Sequence, residues 1–126
     1  MSRVSVALCL VTVALLAGCV TSPPPLPERA IIVASPVDEA LETGIEVLVE
    51  RGFVIRLADA ELGRVDAVRA ARPGYVVRLE ASAAKQAGTE SGTRLALSGR
   101  RGGSYIEPWR FDTLLAEIAA RIEGRP

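Results

Sequence analysis

Leu16-Ala17-Gly18-Cys19 closes a short apolar run near the N-terminus and limits what the chain can fold into. Arg3 places a positive charge before the run, and Val4 to Ala17 is apolar apart from Ser5 and Thr12. A transmembrane helix needs about 20 apolar residues, so this run falls short of one. It has the length of a signal-peptide core, and the small residues at 17 and 18 suit a cleavage pocket that admits little bulk. Pro23, Pro24, Pro25 and Pro27 follow closely. They favour extended polyproline II, so Val20 to Arg29 reads as a tether and the folded domain as residues 30–126.

The same four residues resemble the lipobox of bacterial lipoproteins. The resemblance implies that residues 1–18 are removed and that Cys19 becomes the new N-terminus. It would carry a thioether-linked diacylglycerol and usually an amide-linked fatty acid. An ordinary secretory signal with Cys19 incidental is the alternative. Each buried methylene contributes about 0.8 kcal/mol, and two or more acyl chains hold stably where one does not. The expected first partner is therefore a membrane, reached through acyl chains on Cys19. Val20 stands where an Asp favours inner-membrane retention in enteric bacteria, which implies the periplasmic face of the outer membrane. Inner-membrane retention and surface exposure stay open. Ten polyproline residues at about 3.1 Å each would hold the domain roughly 30 Å from the lipid. Pro24-Pro25-Leu26-Pro27 also fits a proline-rich recognition motif, but a tether beside an acylated cysteine accounts for it.

Two cysteines then leave nothing for a disulfide. Cys9 lies in the removed segment and Cys19 would be acylated, so the domain stands on its apolar core alone. Without Arg3, fourteen basic residues face fifteen acidic ones, and no overall field attracts nucleic acid or anionic lipid. Arginine outnumbers lysine fourteen to one, and His and Asn are absent. The missing His excludes Ser-His and Cys-His nucleophile pairs and any His-based zinc site. The single lysine, Lys85, falls in a polar stretch that reads as a loop. Most acids fall on helix faces that read as solvated. The expectation is a non-catalytic protein with no cofactor and no metal.

Periodicity outlines one domain. Ala30 to Ala34 reads as an extended segment or edge strand. Ser35 as N-cap, Pro36 at N1 and Asp38 in the first turn open a helix. Val37, Ala40, Leu41, Ile45, Leu48 and Val49 form its apolar stripe. Gly52 ends it in a left-handed position. The acidic residues off the stripe, among them Glu46 and Glu50, read as a solvated face or as a place for a cation or basic partner. Phe53, Ile55 and Leu57 then alternate with Val54, Arg56 and Ala58, as in a half-buried strand. Residues 59–63 turn, and a second strand at 64–71 has blurred alternation. After Pro73-Gly74, a third strand turns Tyr75, Val77, Leu79 and Ala81 inward. Residues 82–92 read as a polar loop, 93–98 as a fourth strand and 100–103 as another loop. Pro108 opens a last helix with Phe111, Leu114, Leu115, Ile118, Ala119 and Ile122 on one stripe, and Gly124 closes it. The expected fold is an α+β two-layer sandwich, with three or four antiparallel strands and two helices on one face.

The run Leu48-Val49-Glu50-Arg51-Gly52-Phe53-Val54-Ile55, followed by Asp59 and Gly63-Arg64-Val65, takes a helix through Arg-Gly-Phe into a strand and an Asp-x-x-x-Gly turn. Behind a lipobox and tether, this order resembles small outer-membrane lipoproteins with BamC-like domains, over roughly residues 35–123. The resemblance implies an interaction role in envelope machinery and carries no catalytic residues.

Two surfaces follow as candidates. The sheet face away from the helices is expected to carry Val54, Arg56, Val76, Arg78, Glu80 and Arg94, with Ala96. Mixed apolar and arginine character suits docking, although the same residues also make a solvated face whose Arg stems cover the sheet. The second is the loop Arg100 to Tyr105, with Arg101 and Trp109, as a holder of a phosphate-bearing headgroup or glycan. A plain strand-to-helix turn is its alternative. The leading expectation is a protein-interaction or scaffold module with an envelope protein as partner. The other is a ligand-binding domain for a lipid, glycan or peptidoglycan fragment, which requires a cavity near Trp109 or Arg100.

Overall fold

A computed structural model describes residue 18, residues 22–85 and residues 91–125. Leu16, Ala17 and Cys19 lie outside the described residues. Among the described residues no helix is long and apolar enough to cross a membrane.

The element order is β1 (Glu28–Val33), α1 (Val37–Glu50), β2 (Val54–Asp59), β3 (Arg64–Arg69), β4 (Tyr75–Lys85), β5 (Ser91–Arg101), β6 (Ser104–Tyr105), a 3₁₀ turn (Pro108–Phe111) and α2 (Asp112–Glu123). The strands form one antiparallel sheet in the order β1-β5-β4-β3-β2, with β6 on β5 beyond β1. Both helices pack on the sheet, so the fold is α+β as expected. The sheet has more than the three or four strands read from periodicity. Of Ala30 to Ala34, all but Ala34 belong to a true edge strand that starts at Glu28, two residues inside the expected tether. The stretch 82–92 is no single loop either. β4 runs to Lys85, β5 starts at Ser91, and the two pair along their full length. Polar and small residues there pair through their backbones, which composition does not reveal.

Gly52 explains how α1 gives way to β2. At φ +86° it takes the left-handed conformation that closes the helix. The Phe53 N–H donates to the Leu48 carbonyl and the Gly52 N–H to the Val49 carbonyl, both at 3.0 Å. This is a Schellman motif, with Phe53 turned into the core next to Leu48. The start of α1 is one residue later than expected. Ser35 is buried, and its carbonyl accepts a 2.5 Å hydrogen bond from Thr93 Oγ1 on β5. The Ser35 backbone is thereby tied to the sheet, and Pro36 takes the N-cap position, its carbonyl accepting from the Ala40 N–H at 3.0 Å.

The apolar stripe of α1 is also rotated. Ala40, Leu41, Gly44, Val47 and Leu48 are buried, whereas Val49 is 53% exposed. Gly44 sets this orientation, because a methyl group there would overlap Leu79 of β4 and the bare backbone lets the helix ride close to the sheet. Phe111 at the end of the 3₁₀ turn and Leu115 and Ile118 on α2 are buried, and Leu114, Ala119 and Ile122 pack half-buried around them. These meet Val65, Ala67, Leu79, Leu95 and Leu97 from the sheet. Burial at about 25 cal/mol per Å² makes this layer the dominant stabilising term. Among the described residues no buried side-chain polar atom lacks a hydrogen-bond partner.

Two acids on the acidic side of α1, Glu46 and Glu50, are paired with arginines near the C-terminus. Glu50 accepts from Arg121 at 2.7 and 2.9 Å, and Glu46 accepts from Arg125 at 2.8 Å. Arg51 donates to Glu117 at 2.9 Å in the opposite sense. These pairs stitch α1 to α2 along their solvent rim. The Arg121 hydrogen bond holds the Glu50 carboxyl below its ordinary range.

Candidate functional site

The open face of the sheet follows from register, since residues directly paired across antiparallel strands share a face. Val54, Val68, Val76, Arg100 and Tyr105 form one row across five strands. Leu57, Asp66, Arg78 and Ser98 form the next. Val54 and Val76 are 61% and 53% exposed.

Leu57 was expected inward, beside Phe53 and Ile55. The register shifts between Ile55 and Leu57, so Arg56 is an extra residue and every later side chain of β2 changes face. Leu57 therefore joins the open face, opposite Asp66. Ala96 has the expected facing, between Glu80 and Ala30, but is only 2% exposed and offers no surface. Long neighbouring side chains shelter it, while its own reach is a single methyl.

The three arginines expected on this face differ in availability. Asp66 accepts from Arg78 at 2.8 Å and from Arg64 at 2.6 Å. The Arg64 hydrogen bond, joined by Arg78, holds the Asp66 carboxyl below its ordinary range against the opposing effect of partial burial. Arg94 donates to Glu28 of β1. Arg78 and Arg94 thus fasten strands to one another. Among the described residues only Arg56, Arg69, Arg72, Arg100 and Arg101 lack an acidic partner among the arginines. Arg56 and Arg100 line a shallow hollow of about 380 Å³ on the open face, with Leu26, Val68, Val76, Tyr105 and the paired Asp66 and Arg78. Arg100 stacks on the Tyr105 ring, 4.4 Å from its centroid.

The arginine loop expected at 100–103 divides in two. Arg100 and Arg101 are the last residues of β5, and only Gly102 and Gly103 turn. Successive side chains on a strand point to opposite faces. Arg101 therefore lies on the helix side, 5.1 Å from the Tyr75 ring centroid. Trp109 stays 59% exposed on the 3₁₀ turn, with Arg110 stacked on it at 5.0 Å. It joins neither arginine.

Arg101 belongs instead to a groove of about 820 Å³ on the helix side, where the 3₁₀ turn and the start of α2 leave one end of the sheet uncovered. Arg69, Tyr75, Arg101 and Ser104 are direct cross-strand neighbours there. Arg69 lies 4.5 Å from the Tyr75 centroid and 5.1 Å from that of Phe53. Arg51 and Arg110 stand at the walls, and Ile106, Phe111 and Leu114 contribute apolar lining. Sequence reading placed Tyr75 inward but missed Arg69. The available signal was an inward-facing charge at the end of a strand beside Pro73-Gly74. Lys85 closes β4, opposite Ser91. Among the described residues, no three His, Cys, Asp or Glu side chains converge.

Comparison with known proteins finds no matching family model and no matching curated protein.

Proposed function

We propose that this chain is a lipid-anchored protein of the bacterial envelope, held at the periplasmic face of the outer membrane through acyl chains on Cys19. It acts there as a non-catalytic interaction module with an envelope protein as partner. The observation that carries this reading is the row Val54, Val68 and Val76, with Val54 and Val76 exposed and Val68 half-buried between them, beside Arg56 and Arg100. Those two cations have no acidic partner among the described residues. Arginine beside apolar surface is the composition of an interface core, where lysine is depleted. The partner it fits is a protein surface with an apolar centre and a carboxylate on each side. The resemblance to BamC-like lipoproteins points to the same class of role.

The test is photo-crosslinking in intact cells from position 54 or 76, compared with position 49 on the opposite layer. A product formed from 54 and 76 but not 49, and lost on Arg56→Glu, supports the reading. Equal products from all three positions, or none, overturn it. A second reading, a small-ligand-binding domain, is favoured by the groove between the sheet and the 3₁₀ turn.

A further inference from the structure

We infer that the groove at Tyr75 is a binding site for a phosphate-headed lipid, with the phosphate at Arg69 and Arg101 beside that ring and its alkyl chain over the apolar lining. This names the ligand class of the second reading above and rests on it. Arg69 and Arg101 approach one tyrosine ring at 4.5 and 5.1 Å, and neither meets a carboxylate among the described residues. Tyr75 stands on the middle strand, so these two unpaired cations flank its ring and give the groove a positive charge that suits an anion. Stacking fixes the planar guanidinium forks, which suits the multi-oxygen geometry of phosphate. Arg51 and Arg110 stand at the walls already paired with Glu117 and Glu107, which leaves Arg69 and Arg101 as the unpaired cations of the groove among the described residues. The remaining lining is apolar, with Phe53, Val77, Phe111 and Leu114. A small hydrophilic anion would leave that surface unused, and a neutral lipid would leave the arginines unmatched. The volume of about 820 Å³ lies within the usual span for small-molecule sites.

Topology adds a second argument. Glu28 pairs with Ser98, and β1 runs antiparallel to β5. The chain preceding β1 therefore extends towards Arg100 and Arg101, and Leu26 lies beside Tyr105. The groove opens at the end of the sheet from which the tether departs. Cys19 is nine residues before Glu28. At about 3.1 Å per polyproline residue, acylation at Cys19 would hold that end within roughly 30 Å of the headgroups.

The experiment is calorimetric titration of the purified full chain in dodecyl maltoside with hexyl phosphate, inorganic phosphate and hexyl glucoside. Hexyl phosphate is expected to bind at least tenfold more tightly than either of the others. Arg69→Gln and Arg101→Gln are each expected to weaken it at least tenfold, Arg69→Lys by less, while Arg94→Gln on the opposite face binds like the parent. Thermal melts of the variants separate loss of binding from loss of fold. Equal binding of inorganic phosphate overturns the lipid assignment. Equal binding of hexyl glucoside overturns the phosphate assignment while leaving a ligand-binding domain in place. Binding of none of the three overturns both.

Discussion

The Ala81 N–H donates a 2.7 Å hydrogen bond to the carbonyl of Gly63, and Gly63 holds φ +64° at the close of the β2–β3 turn. A Cβ on Gly63 would overlap the Ala81 carbonyl oxygen, which is backbone and cannot swing aside. The left-handed conformation alone costs a residue with a side chain about 1–2 kcal/mol. Gly63→Ala is therefore expected to lose more than about 2 kcal/mol in urea unfolding. Gly103→Ala, where a methyl group meets open space, is expected to stay within about 0.5 kcal/mol of the parent. Equal behaviour of the two variants would contradict the turn geometry.

The rotated stripe of α1 separates two valines that are close in sequence. Val47 is fully buried and Val49 half exposed. Val47→Ala is expected to cost about 2 kcal/mol through lost burial and the cavity left behind. Val49→Ala should change stability by about 0.5 kcal/mol or less. Denaturation midpoints at constant m-value decide the matter, and a larger loss at 49 would restore the stripe read from sequence.

Asp66 gives the sheet a pH dependence of definite sign. Its carboxyl pKa is lowered in the folded state, chiefly by the Arg64 hydrogen bond. The stabilisation is present above the unfolded value of about 3.9 and disappears as pH falls through the lowered folded value. Asp66→Asn is expected to cost about 1–2 kcal/mol at pH 7, a range that allows for partial solvent screening. Its stability curve should converge on that of the parent as pH falls below 4. A gap that persists undiminished at pH 2 would show that the ion pairs contribute nothing.

Cys19→Ser tests the anchor directly. The parent is expected to incorporate radiolabelled palmitate and to sediment with membranes, with its mature N-terminal peptide beginning at residue 19. The variant should take up no label. Equal labelling of the two chains would dismiss acylation at that position.

How far the fold was legible depended on how local each signal was. The α2 stripe and the outward and inward positions of β4 came through because burial repeats at 3.6 and 2 residues, with Pro108 and Pro73-Gly74 as boundaries. The blurred alternation of β3 resolved only through its pairing, which puts Val65 opposite Leu79 and Ala67 opposite Val77. The phase change at Arg56 has no local signal, because a bulge depends on the partner strand. The pairing of β1 with β5 spans most of the chain and follows from sheet order, which periodicity does not encode.

The candidate sites divide along the same line. Arg100 and Arg101 looked like one unit while they were read as a loop. Once they are strand residues, their adjacency places them on opposite faces. Arg69 and Arg101 are far apart in sequence and meet only through Tyr75, the strand partner of both. Arg78 and Arg94 met the composition of a docking face, but composition does not show that Asp66 and Glu28 already occupy them.

The bulge at Arg56 lies on β2, at one margin of the sheet. An irregular margin breaks the even spacing of free amides and carbonyls that another molecule would need to zip alongside. Were the chain anchored in two dimensions as proposed, where copies would meet far more often than in free solution, that irregularity would keep crowded neighbours from fusing into a continuous ribbon and leave each one separately available.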